Sequence, residues 1–285
     1  MRTLSLRAPA KLNLYLKVIN KRKDGYHNIV TLFERIHLFD DIQMALNNEK
    51  KIRIFCAHPQ VPAGPKNLAY RMAHLLREDF ALEDGVDIRI LKRIPVAAGL
   101  AGGSSNAAAV LIGLNKLWRL SLTKSEMISY AKRVGADVAF FLQDCSWGVG
   151  TERGDRVKRL AIKTKLWHIL VVPKVKVYSG AAYGGLNLQL TKKDDDVNIL
   201  IRHLRRKDLT GVSNSLLNDL ESSTFRLCPN IIRIKKSIEN LSKRGAVLSG
   251  SGPAVFGLAE SRQQAENMKS VLARRYSQVF IVRTL

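Results

Sequence analysis

One short run, Pro95-Val96-Ala97-Ala98-Gly99-Leu100-Ala101-Gly102-Gly103-Ser104-Ser105, limits most narrowly what this chain can become. The residues before it alternate, with Val86, Ile88 and Ile90 apolar, so the run leaves a strand. The residues after it, Ser104–Leu117, carry an apolar helical face, so the run opens a helix. A helix N-terminus offers backbone N–H groups without intrahelical partners and the positive end of the helix dipole. Gly99, Gly102 and Gly103 let the backbone approach an anion closely and take positive φ, and Ser104 and Ser105 add hydroxyl donors. Together these features suit a polyphosphate. A tight turn with a serine cap would account for two or three of these residues only. No lysine follows the glycines as a Walker A loop requires, and the spacing of Gly148, Gly150 and Gly154 merely approximates a dinucleotide fingerprint with no helix behind it.

Around this loop the pattern alternates between strands and helices. Leu12, Leu14, Leu16 and Val18 alternate with Lys11, Asn13, Tyr15 and Lys17, which predicts a strand over 10–18 with one apolar and one polar face. Asp24-Gly25 is a turn signal; strands are expected at Ile29–Phe39, Ile42–Leu46 and Lys51–Cys56. Asn67 reads as the cap of a helix carrying Leu68, Met72, Leu75 and Leu76, and Thr123 with Glu126 as a capping box for Thr123–Arg133. A strand at Trp147–Val149 closes this half. The second half holds a strand at Trp167–Val172, helices at Asn198–Arg206, Asn214–Leu220, Pro229–Ser242 and Arg262–Arg275, and strands at Ala246–Leu248, Ala254–Leu258 and Gln278–Arg283. The expected fold is α+β, with an N-terminal domain over 1–155 built on a mixed sheet with helices and a C-terminal α/β domain over 156–285.

Composition excludes several classes. Hydrophobic residues make up 46% and charged residues 25%, the globular range. The apolar runs Ala107–Leu114 and Trp167–Pro173 are too short to span a bilayer, and Met1–Ala10 does not read as a secretory signal. Cys56, Cys145 and Cys228 are odd in number and form no C-x-x-C pair, which suits reduced thiols in a cytoplasmic protein. The formal charge of +23 would attract any anion, but the basic residues are scattered and not interleaved with aromatics. Nucleic acid is therefore not an expected partner, and neither is a membrane.

The loop resembles the ATP-binding motif of the GHMP kinases, the galactokinase, homoserine, mevalonate and phosphomevalonate kinase family. Ala8-Pro9-Ala10-Lys11-Leu12-Asn13-Leu14 is similar to the family's N-terminal strand motif, and Leu248-Ser249-Gly250-Ser251-Gly252-Pro253-Ala254-Val255-Phe256 to its C-terminal glycine loop. Asp24-Gly25-Tyr26-His27 and Gly135-Ala136-Asp137-Val138 narrow the resemblance to the branch whose acceptor is a cytidine-diphosphate-linked alcohol of the non-mevalonate isoprenoid route. Ala98 and Ala101 stand where some relatives carry glycine, and Ala139 where proline is common.

The resemblance implies a two-lobed fold with the active site in a cleft between the lobes, and ATP as phosphoryl donor with Mg²⁺. Residues 95–105 would bind the ATP phosphates. It makes Asp137 the general base on the acceptor hydroxyl and Lys11 the cation that orients it and stabilises the attacking oxygen. Asn13, two residues on along the same strand face, reaches the same site. Tyr26 would stack on the cytosine and His27 hydrogen-bond it, with either Tyr178 or Tyr183 on the other ring face. Ser249, Gly250, Ser251 and Gly252 would close over substrate or nucleotide phosphates. Without the family, Asp137 reads as a helix-capping or turn residue, Lys11 as a solvated lysine, and Ser249–Pro253 has an ordinary tight hairpin turn as its alternative. No carboxylate cluster marks a metal site, and the metal ligands stay open. The alternatives are a homoserine- or mevalonate-type kinase, for which Tyr26-His27 would have no base to hold, and a basic nucleic-acid-binding protein.

Overall fold

Two long strands organise the chain. Alternating apolar residues make β1, Thr3–Lys21, and a second apolar series makes β2, His27–Asn47. The computed structural model describes residues 3–187 and 196–285, and they form two compact units. One unit contains Met1–Ala10, Leu38–Val96 and Ala101–Asp144; the other contains Lys11–His37, Ala97–Leu100 and Cys145–Leu285. β1 and β2 thus contribute residues to both.

In the first unit β3, Ile52–Phe55, runs parallel to β4, Gly85–Leu91, and β4 pairs antiparallel with Asp41–Asn47 of β2. Four helices accompany them: α1, Leu68–Asp79; α2, Gly102–Leu117; α3, Lys124–Val134; and α4, Val138–Phe141. Asn67 caps α1 by accepting from the amide of Ala69, and Thr123 with Glu126 forms the full capping box of α3, both as expected from sequence.

In the second unit β5, Trp147–Thr151, joins Thr31–Glu34 of β2 to β6, Arg156–Leu160. A separate sheet has the order β11-β7-β10-β9, from β7, Trp167–Val171; β9, Ala246–Leu248; β10, Val255–Ala259; and β11, Val279–Arg283. Its core packs Ile169, Val171 and Val255 against Ile234 and Ile238 of α9, Asn230–Ser242, and Ala265 and Met268 of α10, Arg262–Leu272. Between β7 and β9 lie α5, Ser179–Gly184; α6, Val197–Arg206; α7, Leu209–Asn214; the two-residue β8, Leu217–Asn218; and α8, Glu221–Leu227.

Three expectations fail for physical reasons. β2 is one strand where two were expected, because Asp40, which lies between them, is fully buried and satisfied by partners from other elements. The face of β1 read as polar is buried: Lys11 is 3% exposed, Asn13 2% and Tyr15 3%. Asn214–Leu220 is not a helix. Leu217–Asn218 pairs parallel with Tyr15–Leu16, and the Asn218 side-chain oxygen accepts from the amide of Leu220, a local bond that competes with helix formation.

Candidate active site

The loop of residues 95–105 is divided between the units, and each part has its own geometry. In the first unit Ala101 precedes α2 in the left-handed conformation, at φ 53° and ψ 30°, and its side chain offers no cap. The first amides of a sixteen-residue helix are therefore left without a side-chain acceptor, the arrangement that holds an anion. Positive φ falls on Ala97, Gly99 and Ala101. Gly102 and Gly103, expected to share it, are helical; a Cβ at Gly102 would stand 2.8 Å from Lys92 Nζ and 3.0 Å from Ile94 Cγ2. Ala101 carries a strain of about 1 kcal/mol that glycine would not. Ala101→Gly is accordingly expected to raise the urea midpoint by an amount worth about 1 kcal/mol.

Asp40 sets where this part of the loop begins. Its carboxylate accepts from Lys92 Nζ at 2.7 Å, from the amides of Arg93 and Ile94 at 2.8 Å each, and from Asn106 Nδ2 at 2.9 Å. One buried carboxylate thus joins β2, the end of β4 and the first turns of α2. Burial pushes the Lys92 ammonium below the usual lysine range, opposed by the charge and hydrogen bond of Asp40. Ser105 is 1% exposed and its Oγ has no hydrogen-bond partner. Asp137 stands half-buried at the N-cap of α4, at φ −71°, with its side chain not engaged as a cap.

In the second unit Lys11 is buried and donates to Asn13 Oδ1 at 2.5 Å and to the carbonyl of Gly99 at 3.0 Å. Asn13 Nδ2 donates to Thr31 Oγ1, whose hydroxyl donates to the carbonyl of Tyr15, both at 2.7 Å. This relay fixes the Asn13 amide with its oxygen toward the lysine. Gly99 takes φ +77°, and a Cβ there would fall 1.9 Å from the carbonyl oxygen of Ser249. The 249–252 loop closes on this segment: Ser249 Oγ donates to the Gly99 carbonyl at 3.0 Å, and Ala254 N to the Ala98 carbonyl at 3.3 Å. Ser251 Oγ lies 2.9 Å from Ser179 Oγ at the start of α5. The structure therefore gathers Lys11, Asn13, Gly99, Ser249 and Gly250, while Asp137, Ser104 and Ser105 belong to the first unit.

The Asp24–His27 segment is a built turn. Asp24 Oδ1 accepts from the amide of Tyr26 at 3.1 Å, and Arg22 grips Asp24 and Asn28. Asp24 is held below the usual carboxylate range by the Tyr26 amide and Arg22, which outweigh the opposing pull of desolvation. Tyr26 is 56% exposed with Arg153 5.2 Å from its ring centroid. His27 stacks on Tyr183 at 5.1 Å and 24°, and Tyr183 packs on the cluster of Leu16, Val18, Ile29 and Leu220. Burial, and then the nearby Lys21, lower the His27 pKa. Tyr178 is 71% exposed. Sequence reasoning missed Asp40, Thr31 and Asn218. The one available signal was a lone acid or amide inside an apolar run, which reads locally as a break.

Residues 67–144 match the model of the GHMP kinases N terminal domain, and residues 200–278 that of the GHMP kinases C terminal domain. A 4-diphosphocytidyl-2-C-methyl-D-erythritol kinase of Exiguobacterium sibiricum is 38% identical over 283 residues, 99% of this chain and 98% of its own. One from Geobacillus kaustophilus is 40% identical over 286 residues, 99% of this chain and 97% of its own. A crystal structure of 4-(cytidine 5'-diphospho)-2C-methyl-D-erythritol kinase superposes with a TM-score of 0.82 at 32% identity, covering 99% of this chain and 100% of its own. A homoserine kinase of Cytophaga hutchinsonii shares the fold, at TM-score 0.76 and 19% identity, with 100% and 95% coverage.

Proposed function

The chain belongs to the GHMP kinase family, and from that premise we propose that it transfers the γ-phosphoryl group of ATP to the 2-hydroxyl of 4-diphosphocytidyl-2-C-methyl-D-erythritol. The observation that carries the acceptor is the Asp24–His27 turn. Tyr26 presents an exposed ring, and His27 is held in a fixed plane by Tyr183. An aromatic ring beside an oriented imidazole is what a pyrimidine base needs for stacking and edge recognition. Tyr183 is engaged by His27 and by apolar neighbours, so Tyr178 takes the second stacking position. Homoserine and mevalonate carry no base, which leaves the turn without a task in those reactions.

Phosphoryl transfer asks the protein mainly for positioning and charge. The uncapped amides at the start of α2 bind the ATP phosphates. Asp137 takes the proton of the acceptor hydroxyl, the oxygen forms a bond to the γ-phosphorus, and the bond to the ADP oxygen breaks. Lys11 stabilises the attacking oxygen, and Gly250 to Gly252 close over phosphate. Among the described residues no group of three or more His, Cys, Asp or Glu side chains could hold a metal. Ser105 Oγ, buried without a partner, would contribute one ligand to the Mg²⁺ that arrives with ATP, an ion that would neutralise phosphate charge when bound. We place the domain boundary at 155/156, which the two family matches flank. Among the described residues no helix is long and apolar enough to cross a membrane, and we place the reaction in the cytoplasm.

Purified protein offered ATP with the cytidyl alcohol, homoserine or mevalonate in parallel is expected to release ADP only with the first. Tyr26→Ala is expected to raise the KM for that acceptor roughly 5- to 150-fold, the equivalent of ~1–3 kcal/mol of base stacking. Turnover of homoserine or mevalonate instead would overturn the acceptor and keep the kinase.

A further inference from the structure

Asn218 has no place in the chemistry above, yet it is 5% exposed and fully engaged. Its Nδ2 donates to the carbonyls of Leu248 at 2.8 Å and Gly250 at 2.7 Å, and its Oδ1 accepts from Leu220 N at 2.9 Å. Both ends of the amide are used, and the donor end holds the backbone on either side of Ser249. Neighbouring groups support the same loop. Glu221 accepts from Leu248 N at 3.0 Å and from Lys235 at 2.6 Å, and Thr224 Oγ1 donates to the Ser251 carbonyl at 3.3 Å. Asn218 is itself fixed to β1 by its parallel pairing with Leu16.

Gly250 is where this scaffold meets the lysine. It takes φ +56°, and a Cβ there would lie 3.3 Å from Asn13 Oδ1, 3.3 Å from the Gly99 carbonyl and 3.4 Å from Lys11 Nζ. The Gly250 backbone thus lies against the ammonium that Lys11 directs at Asn13 and Gly99. We propose that Asn218 is a positioning residue for phosphoryl transfer: by clamping the Leu248 and Gly250 carbonyls it holds the glycine loop against Lys11 and so keeps the ammonium aimed at the attacking oxygen. This inference rests on the kinase reading. Asn218 touches no reacting atom, and its effect passes through Lys11.

Asn218→Asp separates the roles. The isosteric carboxylate keeps the bond to Leu220 N but turns an acceptor toward two carbonyl oxygens, so the clamp is lost while the turn is kept. The expected result is a kcat at least about tenfold lower, the cost of one misaimed catalytic group, a larger effect than that on the acceptor KM because the Asp24–His27 turn is untouched. Lowering the pH lets the new carboxyl donate, so the ratio of variant to wild-type kcat should rise. In a Lys11→Ala background the same substitution should have no further effect. Asn218→Ser, which keeps one donor, should fall between the two and serves if the aspartate variant does not fold. An equal loss in both backgrounds, or a loss confined to thermal stability, would overturn the proposal. Absence of wild-type turnover with any acceptor would overturn the kinase reading and this inference together; an effect of Tyr26→Ala without one of either Asn218 variant would overturn this inference alone.

Discussion

Asp137→Ala is expected to lower kcat about 10²- to 10⁴-fold while leaving the KM for ATP unchanged, the range for loss of a general base. The reason lies in where the residue stands. An aspartate at an N-cap ordinarily turns its carboxylate onto the following amides, and Asp137 does not do so ahead of α4. Asp137 thus does not use its carboxylate to cap α4, and the catalytic duty proposed for it rests on the Gly135-Ala136-Asp137-Val138 motif. Asp137→Asn keeps the shape and removes the basic charge, and it should match the alanine variant in kcat. Steady-state ADP release with the cytidyl acceptor measures both. A variant retaining more than a tenth of the wild-type kcat would remove Asp137 from the mechanism and leave the transfer to positioning and charge alone.

Asp40→Ala should destabilise the protein by about 3–5 kcal/mol, the cost of stripping one partner from a buried ion pair. Lys92 and Asp40 have side chains only 6% and 0% exposed, so solvent cannot rehydrate the ammonium left behind. The amides of Arg93 and Ile94 and the Asn106 side chain lose their acceptor at the same time. The exposed pair Lys50–Glu83, with side chains 66% and 79% exposed, is the contrast: breaking it should cost under about 1 kcal/mol. Urea unfolding compares the two directly. Adding Lys92→Met to Asp40→Ala removes the stranded charge and should recover part of the loss. A cost for Asp40→Ala no larger than that of the surface pair would show that the carboxylate does not hold the loop.

The features legible in the sequence act over one to four residues. The Asn67 cap, the Thr123–Glu126 box, the alternation of β4 and the short apolar run of β10 are local, since each is set by a handful of neighbouring side chains. The glycine-serine loop was legible as the start of a helix because a helix start is also a local object, although of the three glycines expected at positive φ only Gly99 takes it, with Ala97 and Ala101 beside it. What misled was polarity inside apolar runs. Asp40 fell between two expected strands, Lys11 on a face read as polar, and Asn218 inside an expected helix, because a buried polar group and an exposed one look alike in one dimension.

The family motifs, most element positions and the strand-to-helix setting of residues 95–105 were carried by the sequence. The tertiary structure alone decided what supports them. Lys11 finds Gly99 across 88 residues, Asp40 finds Lys92 across 52, and Asn218 finds Gly250 across 32. Burial of these groups is tolerated only because such distant partners satisfy them, and no periodicity along the chain encodes a partner so far away.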